Sequence, residues 1–588
     1  MTPIVGSATL TVVERGGLFS GTFRFGPFEA DLPARELRKH GLRLPLRDKS
    51  FEALSALLEH SGKVVTREEL RSRLWPEDVF VEFEGCLNST MNRLRGVLGD
   101  SAAKPRFIET LPRLGYRFIA QVVQGPPLQP TLAVLPFENL NHDPQQDYFA
   151  DGVADALITA LGNASGLRVI SRQSVLHLKG TRRTIPEIAR ELRADAIVEG
   201  SVLQAGGRVR ITAQLIQVSP EQHLWAKAYE CEVGDILTTQ GYVARAIAEA
   251  VKVVLTPSEE DRLVRPRPVD AEAHRAYLKG LHCMGQWSRE SFERALDYFR
   301  LAVRREPKHA LAYAHMADCY GMLGNWGHRP FLDAFHGAKQ AALEALAIDY
   351  TLSTAHWAYA WAKWVCDWDL ETCEEELLRA IHFNPSDAHA HVAYSTFLIT
   401  TTTDQGRALR EMKLALDLDP LSPYVNALMA WTYIFLRDYE RASKQAIETL
   451  ELYPNALLAW WGLGLSEMGL ARHAQAIAAF DRAVTISAEP LSIAYLAAAH
   501  ARAGHIDIAE SLLDQLLSRS ANEPVPPRCF AFLYTALGDA GRALDWLEKA
   551  CEVRDSGVFW LRVMPLYEPL RSTRRFQEVL RRVGLPSD

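Results

Sequence analysis

Cys86-Leu87-Asn88-Ser89-Thr90-Met91-Asn92-Arg93-Leu94-Arg95 and, after a short break, Phe107-Ile108-Glu109-Thr110-Leu111-Pro112-Arg113-Leu114-Gly115-Tyr116-Arg117-Phe118-Ile119 decide the reading of the amino-terminal fold. In the first stretch Leu87, Met91, Leu94 and Leu98 recur at helical spacing and turn inward. That leaves Asn88, Ser89, Asn92, Arg93 and Arg95 outward on a helix beginning at about Leu87. In the second stretch two short apolar runs flank the turn 111–115 and predict a β-hairpin. Two further helices precede them. One begins at Asp48, carries Phe51, Leu54, Leu57 and Leu58 on one face, and is broken at Ser61-Gly62. The other is capped by Thr66, with Glu69 three residues on as a capping box requires. It carries Leu70, Leu74 and Trp75 and stops at Pro76. Three helices followed by a hairpin predict a winged helix-turn-helix over residues 20–120.

The chemistry of the outward face agrees with that order. A major groove admits one helix, whose short polar and Arg side chains meet base edges while flanking cations hold phosphates. From Asn88 to Ala120 the cations Arg93, Arg95, Lys104, Arg106, Arg113 and Arg117 stand against Asp100 and Glu109 alone, in a chain whose net charge is -7. A plain solvated helix face also carries Arg and Asn. The agreement of four ordered elements favours a DNA-facing surface.

This segment resembles the OmpR/PhoB-type winged-helix family, the effector domain of many bacterial response regulators and of the ToxR/CadC group. The likeness is carried by Phe25-Gly26-Pro27-Phe28, by Leu70 through Trp75, by Met91-Asn92-Arg93-Leu94-Arg95 and, most specifically, by Glu109 through Phe118. The resemblance implies that Ser89, Thr90, Asn92 and Arg93 lie in the major groove, that Arg95 and Thr110 meet phosphate, and that Arg113 sits in the wing. Thr66, Arg67, Asn88 and Arg117 complete the DNA-binding set it implies. Thr90 and Asn92 stand where the family often has basic or His residues, which leaves the target sequence undetermined and suggests weaker affinity per monomer. The implied partner is double-stranded promoter DNA, with a dimer on DNA as one arrangement.

A length of 588 residues predicts three to five domains. Hydrophobic content of 48% and charged content of 23% are those of an ordinary globular protein. The net charge of -7 argues against a chain that coats nucleic acid, so binding is expected at one face. Met1 to Gly21 shows no signal-peptide pattern. The longest uncharged apolar stretch, Leu421 to Leu436, is shorter than the roughly 20 residues of a spanning helix and contains Ser422, Pro423, Asn426 and Thr432. A soluble cytoplasmic protein without a membrane span is therefore expected. The ToxR/CadC group places its membrane helix just after the winged helix, where this chain has the Pro/Gly/Gln linker 121–130. The eight cysteines (Cys86, Cys231, Cys283, Cys319, Cys366, Cys373, Cys529 and Cys551) form no CxxC, and reduced thiols without metal or cofactor are expected.

Residues 131–256 alternate strands and helices. Leu132 to Phe137, Leu167 to Ser171, Ala196 to Val202, Val209 to Val218 and His223 to Tyr229 read as strands. Tyr148 to Leu161, Ile185 to Leu192 and Ile236 to Leu255 read as helices, which together predict an α/β sandwich. Leu135-Pro136-Phe137, Tyr148-Phe149-Ala150-Asp151-Gly152, Glu199-Gly200-Ser201-Val202 and Arg208 through Leu215 make this stretch resemble the TolB N-terminal-like domain. Asp147, Asp151 and Asp155 stack on one helix face, and the plain reading is complementation of the helix dipole rather than a cation site. Gly206-Gly207 reads as a hairpin turn, since no phosphate-loop motif surrounds it.

Past a second linker at 257–270, self-similarity near 34 residues begins at about Ala276. Trp460, Leu463, Gly464, Ala476, Phe480 and Ala483 fit the tetratricopeptide spacing, and weaker copies recur around Tyr433, Ala408, Trp357, Ala295, Tyr313, Ala509 and Tyr534. The array, residues 271–588, resembles the tetratricopeptide family and predicts about eight helix pairs closed by a cap near Pro569 to Phe576. Such a solenoid makes a groove commonly used to grip a peptide or protein partner. Trp361, Trp364 and Trp368 form an aromatic strip read as core filling.

The fold class is thus multidomain: winged helix-turn-helix, α/β sandwich, all-α solenoid. The expected function is a one-component bacterial transcriptional regulator whose winged helix binds a promoter and whose α/β and repeat regions receive a signal. Only about twenty residues stand before the first strand, so a receiver domain is not expected there. The alternative is a scaffold whose winged helix has become a protein-binding module. No catalytic constellation is visible, so an enzyme is not expected.

Overall fold

The pair Phe25 and Phe28, brought together by the turn at Gly26-Pro27, opens the first of two compact units into which the chain divides at Gln129 and Pro130. The structure is a computed structural model and describes residues 22–32, 36–39, 42–44, 46, 48–75, 83–125, 129–143, 146–181, 183–218, 221–251, 253, 255–264, 269–284, 288–325, 328–523 and 525–586. Pro76, the expected helix stop, lies outside them.

In the first unit β1 (Thr22–Phe25), β2 (Phe28–Asp31), β3 (Glu36–Lys39) and β4 (Leu42–Leu44) form an antiparallel meander. Then follow α1 (Asp48–Glu59), β5 (Val64–Thr66), α2 (Arg67–Leu74) and α3 (Phe83–Leu98). The unit closes with β6 (Ile108–Leu111), β7 (Gly115–Phe118) and β8 (Val123–Gly125). Strands β5, β7 and β6 make a second small sheet. Two differences from the sequence reading appear. Helix α3 starts at Phe83, four residues before the expected Leu87. Val123–Gly125, expected in a linker, instead pairs with β1 and covers an edge that would otherwise expose unpaired amides and carbonyls. The core gathers Leu54, Leu57, Leu70, Leu87, Met91 and Leu94 under Phe25, Phe28, Phe107 and Phe118. The Phe25 and Phe118 rings meet edge-to-face at 5.0 Å.

The second unit begins with β9 (Thr131–Val134), β10 (Glu138–Asn139), α4 (Asp147–Gly162), β11 (Arg168–Val169), α5 (Arg172–Leu176) and α6 (Ile185–Leu192). Strands β12 (Ala196–Ala205), β13 (Arg208–Val218) and β14 (Glu221–Glu232) and helices α7 (Ile236–Ala250) and α8 (Pro257–Val264) complete its α/β layer. The sheet order is β11-β9-β12-β13-β14, parallel through β12 and antiparallel beyond. Along β13, Val209, Ile211, Ala213 and Leu215 are buried on one face, as the alternation predicts. The acid face of α4 is salt-bridged. Lys179 lies 2.8 Å from Asp151 and 3.2 Å from Asp147, and Arg172 lies 3.5 Å from Asp155.

The second expected linker is instead structured in its first half. Glu259 is 6% exposed, caps α8 by accepting from the Thr256 amide at 2.7 Å, and accepts from the Ser165 amide at 2.8 Å. Those amides hold its carboxylate below the usual range against the opposing effect of burial. Residues 265–268 lie outside the described ones.

Sixteen helices then form eight antiparallel pairs. The first four pairs are α9 (Ala271–Met284) with α10 (Arg289–Arg305), α11 (Ala310–Asn325) with α12 (Phe331–Ile348), α13 (Ser353–Ala362) with α14 (Leu370–Phe383), and α15 (Ala388–Thr401) with α16 (Gln405–Leu418). The last four are α17 (Pro423–Phe435) with α18 (Tyr439–Leu452), α19 (Leu457–Gly469) with α20 (His473–Ile486), α21 (Pro490–Arg502) with α22 (Ile506–Ser520), and α23 (Pro527–Ala536) with α24 (Ala540–Glu552). The tail ends in α25 (Arg574–Arg582). A polar lock recurs in the four successive pairs from α13 to α20. His356, His391, Asn426 and Trp460, each near the start of a first helix, bond the carbonyl six residues earlier, at Tyr350, Pro385, Pro420 and Pro454. The first three also bond the second helix of their pair, through Glu376, Glu411 and Gln445. Of the aromatic strip, Trp364 is buried against Trp361, Phe397 and Phe559, and Arg554 covers Trp368 at 3.9 Å, so the strip is core.

The array is not a separate domain. Leu132, Val153 and Leu157 of the α/β layer share one buried cluster with Tyr277, Leu278, Phe292 and Ala358 of the repeats. Helix α4 lies so close to α9 that a Cβ on Gly152 would sit 2.4 Å from a Leu278 methyl. Farther along, the Val169 amide donates to Ser386 Oγ at 3.1 Å, and Ser174 Oγ donates to Asp419 at 2.6 Å. The array therefore holds the α/β layer across several repeats. Gly152→Val should destabilise this unit by about 1–3 kcal/mol through overpacking, read as a lower denaturation midpoint. A chain cut at Ser258 should give no soluble fragment with a cooperative α/β melt; recovery of one would contradict the shared core.

Candidate nucleic-acid interface

Helix α3 presents Asn88, Ser89, Asn92 and Arg93 as exposed side chains, while Leu87, Met91, Leu94 and Leu98 are buried. Arg95, expected outward, turns inward, and so does Thr90, which the family resemblance placed in the major groove. Thr90 is 6% exposed and its hydroxyl donates to the Cys86 carbonyl at 2.9 Å. Arg95 is also 6% exposed, and its guanidinium donates to the Ile108 carbonyl at 2.9 Å and the Thr110 hydroxyl at 2.7 Å. At about 100° per residue, Thr90 and Arg95 sit roughly 70° to either side of the apolar stripe, on shoulders that neighbouring elements cover. Arg95 is a clamp between α3 and β6, and Thr110 is its acceptor.

The remaining members divide in the same way. Thr66 caps α2: its hydroxyl accepts from the Glu69 amide at 3.2 Å, and its own amide donates to the Glu69 carboxylate at 2.7 Å. These bonds hold the Glu69 carboxyl below the usual range. Arg117 is bound to Glu109 at 2.6 Å. Arg67 and Arg95 both lie against the Tyr116 ring, at 5.5 and 5.9 Å, while the Tyr116 hydroxyl donates to Asn88 at 3.0 Å. Tyr116 therefore ties α2, α3 and the hairpin together, a role that its place in the quoted motif did not reveal. Arg113 stands exposed at the tip of the hairpin with φ +65°, in the left-handed region. The hairpin is seated by Gly115, where a Cβ would lie 2.0 Å from the Val65 carbonyl oxygen.

Four cations are left on the surface of this half: Arg93, Lys104, Arg106 and Arg113. Among the described residues no hydrogen bond or ion pair engages the side chains of Arg93, Lys104 or Arg113. Arg106 lies 5.5 Å from the Phe107 ring. Lys104 and Arg106 carry charge that the sequence count includes but the DNA-contact set omits. Asp100, one of the two local acids, is spent as a loop cap, accepting from the amides of Arg106 at 2.7 Å and Ile108 at 2.9 Å. The surface is a polar helix face flanked by a positive fringe.

Residues 41–118 match the family model described as transcriptional regulatory protein, C terminal. The chain carries a transcriptional-regulator winged helix. Residues 128–242 match a HilA/YgeH-like transcriptional regulator second domain, and residues 428–489 match a tetratricopeptide repeat. The TolB likeness of the same middle stretch rests on its sequence motifs alone.

Three relatives are similar over parts of their length. A protein named putative adenylate cyclase 3, from Rhizobium meliloti, is 35% identical over 239 residues, 40% of each chain. The transcriptional regulator HilA of Salmonella typhi is 24% identical over 338 residues, 56% of this chain and 58% of that one. The transcriptional regulatory protein CusR of Escherichia coli is 29% identical over 108 residues, 18% of this chain and 47% of that one. The chain thus spans between two fifths and three fifths of these relatives. No helix among the described residues is long and apolar enough to cross a membrane.

The geometry separates two arginines two residues apart in this winged helix. Arg95→Ala removes a donor from a buried carbonyl and should destabilise residues 20–129 by about 1–3 kcal/mol in denaturant titration. Arg93→Ala should leave that midpoint unchanged.

Proposed function

We propose that the chain is a one-component transcriptional regulator. Its winged helix, residues 20–125, binds double-stranded promoter DNA, and the body from Pro130 onward receives the signal. The observation that carries the reading is the exposed set Asn88, Ser89, Asn92 and Arg93 on α3, in a unit whose free cations Lys104, Arg106 and Arg113 suit phosphate. In this reading Asn92 and Arg93 read base edges, Ser89 and Asn88 flank them, and Arg113 holds the backbone beside the wing. Thr66, Thr90, Arg95, Thr110 and Arg117 act by shaping the surface rather than by touching DNA, and Arg67 joins them through Tyr116. The regulator names of two relatives support this direction. A non-enzymatic role in the cytoplasm, where the promoter is, goes with it. A dimer on DNA would supply the affinity that a recognition helix with a single Arg on its exposed face lacks. A protein partner would meet the repeats on the faces that the α/β layer does not occupy.

Binding of the full chain to promoter duplexes should weaken steeply with salt. Four neutralised phosphates give a log–log slope of roughly -3 to -4. Arg93→Ala should cost about 1–3 kcal/mol on a specific site. Arg113→Ala should weaken all sequences evenly and reduce the slope by about one. Salt-independent binding, or none to any genomic fragment, would overturn the reading.

A further inference from the structure

A cavity of about 300 Å³ lies inside the second unit, walled by α4 and α5 on one side and by α9, α11, α13 and α15 on the other. That volume is near the lower end of small-molecule pockets. Its lining is mostly apolar, with Tyr277, Leu278, Phe292 and Trp357 as the large surfaces.

The polar groups are unevenly served. Asp155 lies 3.5 Å from Arg172. Asp387 caps α15 by accepting from the amides of His389 at 3.0 Å and Ala390 at 3.2 Å, and it accepts from the Ser353 hydroxyl at 2.6 Å. Asp318, on α11, has no hydrogen-bond or ion-pair partner among the described residues, and its Oδ1 is fully buried. Burial pushes its carboxyl up to about 6, with His389 opposing and Asp387 reinforcing. Burial pushes His274 down to about 3 and His309 and His315 to about 4, so among the nearby imidazoles only His389 opposes the rise at Asp318. Trp357 stacks on His389 at 6.1 Å in the same part of the cavity.

A buried carboxylate without a cation costs several kcal/mol, and a cation brought to it recovers much of that. Aromatic walls suit both an organic cation and the apolar body that carries it. We propose that this cavity binds a small organic cation, an ammonium or amidinium on an apolar or aromatic body. The cationic group rests on the Asp318 carboxylate, and the body rests against Tyr277, Leu278, Phe292 and Trp357. Because its walls come from both the α/β layer and the repeats, the ligand stiffens their contact. The inference rests on the sensing role proposed above only in making this ligand the signal.

The test titrates the full chain with phenethylamine, 2-phenylethanol and 3-phenylpropionate, which share a body and differ in the head group. Binding is followed by calorimetry and by melting midpoint. The amine should bind and raise the midpoint, and the alcohol and the acid should not. Asp318→Asn should weaken the amine roughly ten- to hundredfold. Its ligand-free melt should stay at or above wild type, because the lone charge is gone. Should that variant fail to fold, the comparison of three probes on the wild-type chain still decides. Amine binding no tighter than that of the alcohol or acid, or an Asp318→Asn chain that keeps it, overturns the proposal. DNA retention on the same samples keeps failure here distinct from failure of the regulator reading.

Discussion

Burial of α4 against the first repeat pair is the constraint on which the second unit depends. The α/β layer needs a cover for Leu132 of its sheet and Val153 and Leu157 of α4, and the repeats need one for Tyr277 and Leu278. Each supplies the other's. The glycine at position 152 sets the distance, since any larger residue collides with Leu278. Once the layers are held so close, the loops that start α15 and α17 reach β11 and α5, where Ser386 and Asp419 accept from Val169 and Ser174. The result is a layer clasped by a solenoid rather than three beads on a string. The cavity lies within that clasp, with walls from both the α/β layer and the repeats.

The winged helix uses a different device. Its exposed helix carries few charges, so the position of each side chain matters more than their sum. Arg95 fixes α3 to β6, Tyr116 fixes Asn88 to β7, and Arg73, ion-paired to Glu59 and Glu52, fixes α2 to α1. The Arg95 and Tyr116 contacts are buried or half-buried, the Arg73 pairs exposed, and together they position the helix face. Ser89, Asn92, Arg93 and Arg113 make no such contact among the described residues, and Asn88 is both exposed and held by Tyr116.

Much of this was legible in the sequence. The 3.6-residue stripe of α1 and α3, the capping box at Thr66 and Glu69, the hairpin around Arg113 and the repeat spacing around Trp460 all follow from local rules, and each appears where expected. Arg95 lies inward against expectation because a stripe distinguishes its centre from its opposite face but not its shoulders. Whether a shoulder is covered depends on a hairpin some fifteen residues away. Val123–Gly125 reads as a linker by composition, yet strand pairing needs only a partner edge. Position 257 reads as a break by its proline and charges, yet proline at the first turn of α8 suits a helix start. The clasp was least legible of all, since Val169 and Ser386 stand 217 residues apart and no local pattern announces the contact.

The proposed division of labour, with residues 20–125 binding DNA and the unit from Pro130 onward receiving a signal, makes the promoter the decisive place to look. Genome-wide mapping of DNA bound by the untagged full chain, beside the Arg93→Ala variant, tests it most directly. Discrete sites sharing a short motif, lost or broadened in the variant, are the predicted result. Occupancy indistinguishable from background in the wild-type chain would contradict it.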